Sequence, residues 1–344
     1  ASRYILEVAE RLAKKGWPVL IITGKINQQI IEPYSNLQFQ SLGEFTTGSL
    51  FYWLFWPLFQ YRIHQNLNKI NNKILFPQIF PPVWWTGIYK LFHPKTPIVW
   101  MCQEPSAFIH SPLVIESLGE PFRSILKIGK ILFKKFDLWI VRKIDYIISN
   151  SEYSDRIIRK IYNRKADMIA YPGVDCKTFI PSKRKENYFF IVSRLDKQKN
   201  IDILIKAFFL LPINIKKKYR IVIGGDGTEK NNLQKLAGKL DLSKKVEFLG
   251  RVDEDKLPLW YAKARLVIFC AKEEPFGIVP IEAMVCGTVV IAANNGGMKE
   301  SIIDGITGFL VDPQNPEKLS KKILEILEDE KKMKIIAGKA RIFV

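Results

Sequence analysis

The segment Glu274-Pro-Phe-Gly-Ile-Val-Pro-Ile-Glu282 limits what this chain can fold into more than any other stretch. Upstream, Leu266-Val-Ile-Phe-Cys270 is an apolar run of strand length that stops at the charged Lys272-Glu273-Glu274. Downstream, Pro280 suits a first helical turn, and Gly287 suits a position just past a helix end. Val289-Val-Ile-Ala292 then reads as the next strand. Strand, loop, helix and strand in that order form the unit of a parallel α/β sheet. Glu274 is thereby expected on a loop at the carboxyl end of a strand, and Glu282 in the first turns of the next helix. Ligands of open α/β sheets bind at that edge. The backbone N–H groups of Phe276, Gly277 and Ile278 are expected to face outward at the helix N-terminus, where they can hold an anion.

The alternation extends along the chain. Residues 1–16 read as a helix and Trp17 to Thr23 as a strand. Lys73-Ile-Leu-Phe-Pro77, Pro97 to Cys102 and Asp145 to Ser149 read as strands of a first sheet. Tyr188 to Val192 and Ile221 onward read as strands of a second. Pro172 to Glu186, rich in Pro, Lys and Ser, reads as a linker. With 344 residues, 47% of them apolar, the chain can bury two sizeable cores, so two domains are expected. The longest apolar run, Leu50 to Phe59, is far short of the roughly 20 residues needed to span a bilayer. No secretory signal is read at the start. Four scattered cysteines, Cys102, Cys176, Cys270 and Cys286, form no C-x-x-C and give no support to zinc or redox chemistry. They fit a reducing, cytoplasmic setting.

The net charge of +19 is large, and such a charge can mark nucleic acid, anionic lipid or phosphorylated ligands as partners. It is evenly spread. Residues 1–180 carry 23 basic and 13 acidic side chains, and residues 181–344 carry 30 and 21, so no dedicated tail exists. A chain this rich in Ile, Asn and Phe also suits an AT-rich coding bias that inflates Lys everywhere. One segment stands out. Between Leu118 and Asp145, Arg123, Lys127, Lys130, Lys134, Lys135, Arg142 and Lys143 interleave with apolar residues such as Ile131, Leu132, Phe136 and Trp139. This is the pattern of a basic amphipathic helix on an anionic membrane, and equally of a surface helix with its apolar side in a core. Leu50-Phe-Tyr-Trp-Leu-Phe-Trp-Pro-Leu-Phe59 offers a second membrane contact or a buried core helix.

The Glu274–Glu282 string, continued by Ala283-Met284, resembles the E-x7-E signature of retaining glycosyltransferases of family 4, which have the GT-B fold. Other segments match in the right order. Tyr171-Pro-Gly-Val-Asp175 resembles the family's hinge turn. Ser193-Arg-Leu-Asp-Lys-Gln-Lys199 resembles its phosphate-binding loop, with Asn200 where a Gly is customary. Ile221-Val-Ile-Gly-Gly-Asp-Gly227, Val246-Glu-Phe-Leu-Gly250, Asn295-Gly-Gly-Met-Lys-Glu300 and Gly305-Ile-Thr-Gly-Phe-Leu-Val311 follow. Glu7 to Gly16 and Asn150-Ser-Glu-Tyr153 are similar to first-domain segments. The resemblance implies an α/β protein of two facing Rossmann-like, doubly wound domains with a cleft between them. Residues 1–175 would be the acceptor-side domain and 176–344 the nucleotide-sugar-binding domain. Against that pattern the first strand of the first domain and a C-terminal crossover helix are expected to be missing, since Ala1-Ser2 stands where a glycine turn would end.

The implied reaction moves a hexosyl unit from a nucleoside-diphosphate sugar to a glycan or lipid-linked acceptor, with anomeric retention, in polysaccharide biosynthesis at the cytoplasmic membrane face. Its leaving group is a diphosphate whose charge must be neutralised. Arg194 and Lys199, a fork and a point charge on one loop, suit that task, and the resemblance assigns both to the donor phosphates. It places Glu282 on the ribose hydroxyls and Glu274 beside the transferred sugar. Gly225 and Gly250 fall in donor-side turns. No enzyme nucleophile is implied, because the leaving phosphate itself takes the acceptor's proton. Relatives often carry a His near the donor sugar. Here Gln103 takes that place, with Glu104 beside it as an acceptor-side candidate, and Gln cannot act as a base. No metal cofactor is expected. Asp253-Glu-Asp255 spells a D-x-D, but acidic residues before a helix are ordinary first-turn chemistry. Gly225-Asp-Gly227 is half of a G-x-G-x-x-G, with Lys230 at the last position, so a nicotinamide site has little support. Nucleic acid is not expected as a partner. A sugar phosphorylase, a nucleotide-sugar epimerase and a non-catalytic basic binding protein are the competing readings.

Overall fold

The computed structural model describes residues 2–24, 26, 28–43, 54–110, 122–312 and 314–344. Ala1, the 50–53 part of the aromatic run and the 118–121 part of the basic segment lie outside the described residues. The chain divides into two compact units, Ala1–Asn150 with Ser154–Ala170, and Ser151–Tyr153 with Tyr171–Val344.

In the first unit, the Ser2–Lys14 helix leads into β1 (Leu20–Thr23), which pairs in parallel with β2 (Gln38–Ser41). A second parallel sheet runs β3 (Val99–Cys102), β4 (Tyr146–Ser149), β5 (Met168–Ile169). The strand expected at 73–77 is reduced to a single bridge between Leu75 and Ile98. Leu75 N–H donates to the Pro97 carbonyl at 3.0 Å, and Val99 N–H to the Leu75 carbonyl at 2.9 Å. Pro77 and Pro97 have no N–H with which to lengthen that ladder.

The core of this unit lies between its sheet and the Pro82–Phe92 and Phe122–Val141 helices, around Trp84, Trp85, Tyr89, Trp100 and Ile140. Gly87 lets the two helices approach closely, since a Cβ there would stand 2.5 Å from Ile140 Cγ2. Asp137, fully buried, accepts from Trp84 Nε1 at 2.6 Å and from the Tyr162 hydroxyl at 2.8 Å, and pairs with His110 Nε2 at 2.7 Å. Three partners make a buried carboxylate tolerable.

The second unit is a six-stranded parallel sheet in the order β11-β10-β9-β6-β7-β8. The strands are β6 (Tyr188–Val192), β7 (Arg220–Gly224), β8 (Val246–Gly250), β9 (Leu266–Phe269), β10 (Val290–Ala293) and β11 (Phe309–Val311). The chain starts at the middle, winds outward through β7 and β8, then returns to the other side of β6 and winds outward again. This is the doubly wound order, with its switch point between β6 and β9. Every residue of β9 and β10 is buried, which accounts for the unbroken apolar runs in the sequence. One core fills each face of the sheet, around Leu204, Phe208 and Ile323 on one side and Tyr261, Met284 and Met298 on the other.

Candidate functional site

The two strands flanking the switch point end in the two loops that carry the charged motif residues. After β6, residues 193–199 run out to Lys199 at the end of a short 3₁₀ turn, Lys197–Lys199. Asn200 follows with φ 48°, in the left-handed region. That conformation suits Gly, and Asn is among the other residues that tolerate it best. The Asn200 side chain donates to the Cys270 carbonyl at 3.2 Å, tying this loop to the one after β9.

After β9, the chain reverses through Glu273, also left-handed at φ 51°, and reaches Glu274. Lys199 Nζ lies 2.7 Å from Glu274 Oε2, and both side chains are largely covered, at 15% and 22% exposure. Arg194 stands at the start of the same motif loop, 79% exposed, with Asp196 Oδ2 3.4 Å away. The structure thus brings Lys199 and Glu274, 75 residues apart in sequence, into one ion pair.

Glycines shape these loops because backbone packs on backbone. A Cβ at Gly225 (φ 116°) would lie 1.8 Å from the Ser193 carbonyl oxygen. One at Gly227 would lie 2.4 Å from the Leu195 carbonyl oxygen. The turn after β7 therefore presses on the Arg194 loop, and Leu195 N–H donates to the Asp226 carbonyl at 2.9 Å. Gly250, at the end of β8, accepts from Gly225 N–H at 2.6 Å. Gly296 and Gly297 play the same part under the Glu274 loop. Gly297 N–H donates to the Glu274 carbonyl at 2.9 Å, and a Cβ at Gly297 would stand 2.1 Å from the Pro275 oxygen.

Gly277, at φ 94°, is the N-cap of the Ile278–Val285 helix. Among the described residues, the backbone N–H groups of Phe276, Gly277 and Ile278 have no acceptor. They are orphan donors at the positive end of a helix dipole, on the same sheet edge as Lys199. Gly287 closes that helix at φ 63°, as its sequence position suggested. Glu282 is buried at 6% exposure and accepts from the Tyr261 hydroxyl at 2.8 Å. Sequence reasoning missed Tyr261. Its only signal is a Tyr on the Leu257–Lys263 helix, which a core position explains equally well.

Gln103 and Glu104 follow β3 at the carboxyl end of the first unit's sheet. Gln103 Nε2 and the Ser106 hydroxyl are buried with no hydrogen-bond partner among the described residues, while Glu104 is exposed. Asp253 of the D-x-D pairs with Lys256 at 2.8 Å, in the turn that precedes the Leu257–Lys263 helix and not in its first turn, where no acid stands. Burial pushes the Cys270 and Cys286 thiols up to about 12, so both remain neutral, inert side chains.

With this geometry in view, the comparisons are decisive for the family. The sequence pattern of Glycosyltransferase Family 4 matches residues 1–178, and that of Glycosyl transferases group 1 matches 177–343. The chain belongs to glycosyltransferase family 4. It is 27% identical over 333 residues to an uncharacterized glycosyltransferase of Methanocaldococcus jannaschii, covering 93% of this chain and 81% of that protein. It is 28% identical over 199 residues to the O-antigen chain mannosyltransferase B of Escherichia coli, covering 54% of this chain and 52% of the relative. Several curated relatives are matched over only about half their length. Among solved structures, Anabaena HepE in complex with UDP and glucose superposes with a TM-score of 0.79 at 21% identity, over 99% of this chain and 90% of that one. The fold is α/β GT-B, with two Rossmann-like parallel-sheet domains, as family-4 membership implies. Family 4 comprises nucleotide-sugar-dependent glycosyltransferases, and the E-x7-E residues of this chain occupy the switch-point edge of its second sheet.

Proposed function

We propose that this protein transfers a hexosyl unit, with retention at the anomeric carbon, from a nucleoside-diphosphate sugar to a glycan or lipid-linked acceptor. The observation that carries the reading is the convergence, on one sheet edge, of Lys199, Glu274, the exposed Arg194 and the orphan N–H groups at Gly277. A diphosphate is what such an edge is built to receive. Lys199 and Arg194 supply positive charge, and the helix N-terminus supplies aligned donors. As the sugar–phosphate bond breaks, these groups stabilise the charge that develops on the leaving oxygen. Glu282, oriented by Tyr261, receives the ribose hydroxyls. Glu274, held by Lys199, sits beside the sugar and positions it. No side-chain nucleophile is assigned. The departing phosphate oxygen takes the acceptor's proton on the face where the new bond forms.

The Anabaena neighbour holds UDP and glucose, which makes UDP-glucose the first donor to test. The O-antigen mannosyltransferase makes a surface-glycan precursor the first acceptor class. No divalent metal takes part in this reading, because the cationic loop and the helix N-terminus do a metal's electrostatic work. The acceptor is held at the inner face of an anionic membrane. In support, the Phe122–Val141 helix exposes Ile131 at 68%, Leu132 at 74% and Trp139 at 41%, beside exposed Lys135 and Arg142. Among the described residues, no helix is long and apolar enough to cross a membrane.

The test uses UDP-sugar labelled in the sugar, with and without a lipid-linked glycan acceptor, in EDTA and in Mn²⁺. Acceptor-dependent transfer of label, equal in both media, is expected. Transfer only to inorganic phosphate would mean a phosphorylase, isomerised donor an epimerase, and loss of activity in EDTA a metal site. No dependence on any nucleotide sugar would leave only a binding protein.

A further inference from the structure

The edge of the second sheet opposite the candidate donor site carries a different kind of surface. The loops entering β6, β7 and β8 lie side by side there, because those strands are adjacent and parallel. They line a concavity of about 450 Å³ with Arg184, Lys218, Lys244 and Lys245 among its walls. None of these four cations has a carboxylate partner among the described residues. The nearby acids are already engaged, Glu186 with Lys263 at 3.2 Å and Glu247 with Arg220 at 3.3 Å. Four like charges gathered without counter-charges are unfavourable for the folded protein alone.

Apolar side chains flank this charge. Phe209, Leu210 and Ile213 are exposed at 43%, 46% and 66%. Ile213 and Lys217 lie one turn apart on the Ile213–Lys218 helix. Lys216 Nζ donates to the Phe209 carbonyl at 2.8 Å and sits 5.2 Å from its ring centre, while Lys245 Nζ donates to the Lys217 carbonyl at 2.8 Å. These contacts make the apolar and basic residues one continuous patch. Exposed Leu and Ile gain nothing from a phosphate backbone in water. They gain from insertion at a headgroup boundary, where lysines around them meet anionic lipid.

We propose that this patch is a docking surface for an anionic lipid bilayer, built on the donor-binding unit and separate from the amphipathic helix of the first unit. The proposal rests on the membrane part of the reading above for its occupant. Its residues are its own.

The full chain is sedimented with phosphatidylcholine vesicles, with and without phosphatidylglycerol, beside heparin and RNA binding assays. The triple variant Lys217→Glu, Lys218→Glu, Lys244→Glu should lose about ten-fold or more of its affinity for anionic vesicles, since each lysine near the surface contributes. Leu210→Ser with Ile213→Ser should weaken binding at unchanged vesicle charge. UDP affinity by calorimetry should stay at the parent value in both, which shows that the unit remains folded. Reversal of Lys130, Lys134 and Lys135 scores the first unit's helix separately. Loss of binding there alone, with the 217/218/244 variant unaffected, overturns this proposal and leaves the earlier reading standing. Loss in the 217/218/244 variant alone does the opposite. Parent protein that binds heparin or RNA but not anionic vesicles also overturns it, and assigns the patch to a polyanion.

Discussion

The two units hold their functional loops by different means. In the second, backbone rests on backbone. Gly225 lies under Ser193, and Gly297 under Pro275, at distances that no side chain permits. In the first, side chains from remote positions meet around one buried acid, Asp137, which binds Trp84, His110 and Tyr162. A backbone-on-backbone loop has few degrees of freedom and presents its N–H and charged groups in fixed places, as a diphosphate requires. A side-chain cluster fixes the scaffold and leaves the loops above it free to differ, as acceptors of many shapes require. The difference teaches that, on the donor-site reading proposed above, donor recognition would be a rigid property of the second unit, whereas the Asp137 cluster of the first serves its stability.

Substitutions can break that contrast. The largest effect is expected from Gly225→Val. The backbone conformation and the Ser193 carbonyl both exclude its side chain, so the Arg194 loop must refold. Diphosphate binding should vanish in calorimetry, with a clear fall in the unfolding temperature. A variant with parent affinity would mean that the rigid-loop account is wrong. Next, Asp137→Ala should destabilise by about 3 kcal/mol in urea unfolding, since three buried donors lose their acceptor. Its UDP affinity should not change. If UDP affinity fell along with stability, the separation of roles would fail. Lys199→Ala should weaken UDP binding about ten- to a hundred-fold, the worth of a charge-assisted contact to phosphate. Tyr261→Phe is the finest probe. It removes one hydrogen bond to Glu282, and about 1 kcal/mol of donor affinity should go with it, or roughly five-fold. An unchanged value would show that Glu282 needs no help in meeting its ligand.

The same contrast decides how much could be read from the sequence. The loops of the second unit's candidate site were legible because their constraints act on residue type at fixed spacing. Gly277 must be left-handed, Gly225 must lack a side chain, and the two glutamates flank one helix start. Strands alternating with helices foretold a parallel α/β sheet, and the doubly wound order was what the family resemblance implied. The first unit gave less. Its strand at 73–77 shrank to a bridge because Pro77 and Pro97 interrupt the ladder, a cost visible only once the two segments are known to pair. The Asp137 cluster joins positions 84, 110, 137 and 162, with no period to announce it. Tyr261 was hidden for the same reason, because a buried Tyr on a helix is ordinary until its hydroxyl is found on Glu282. The Lys199–Glu274 pair was also invisible, although both residues were named, because motifs give neighbours along the chain and not across it.

That pair has a consequence for turnover. Lys199 is held by an anion that belongs to the protein itself. If Lys199 receives the donor diphosphate as proposed, that diphosphate enters by exchange, sharing the ammonium with a carboxylate already there or displacing it. The tethered carboxylate is present at an effective concentration that a dissolved competitor reaches only with difficulty. On that reading it would resist entry a little and speed departure, because Lys199 has a replacement partner the moment the spent nucleotide begins to leave. An enzyme whose product carries the same diphosphate as its donor gains from such a return spring. It trades some affinity for both in order to be cleared between cycles.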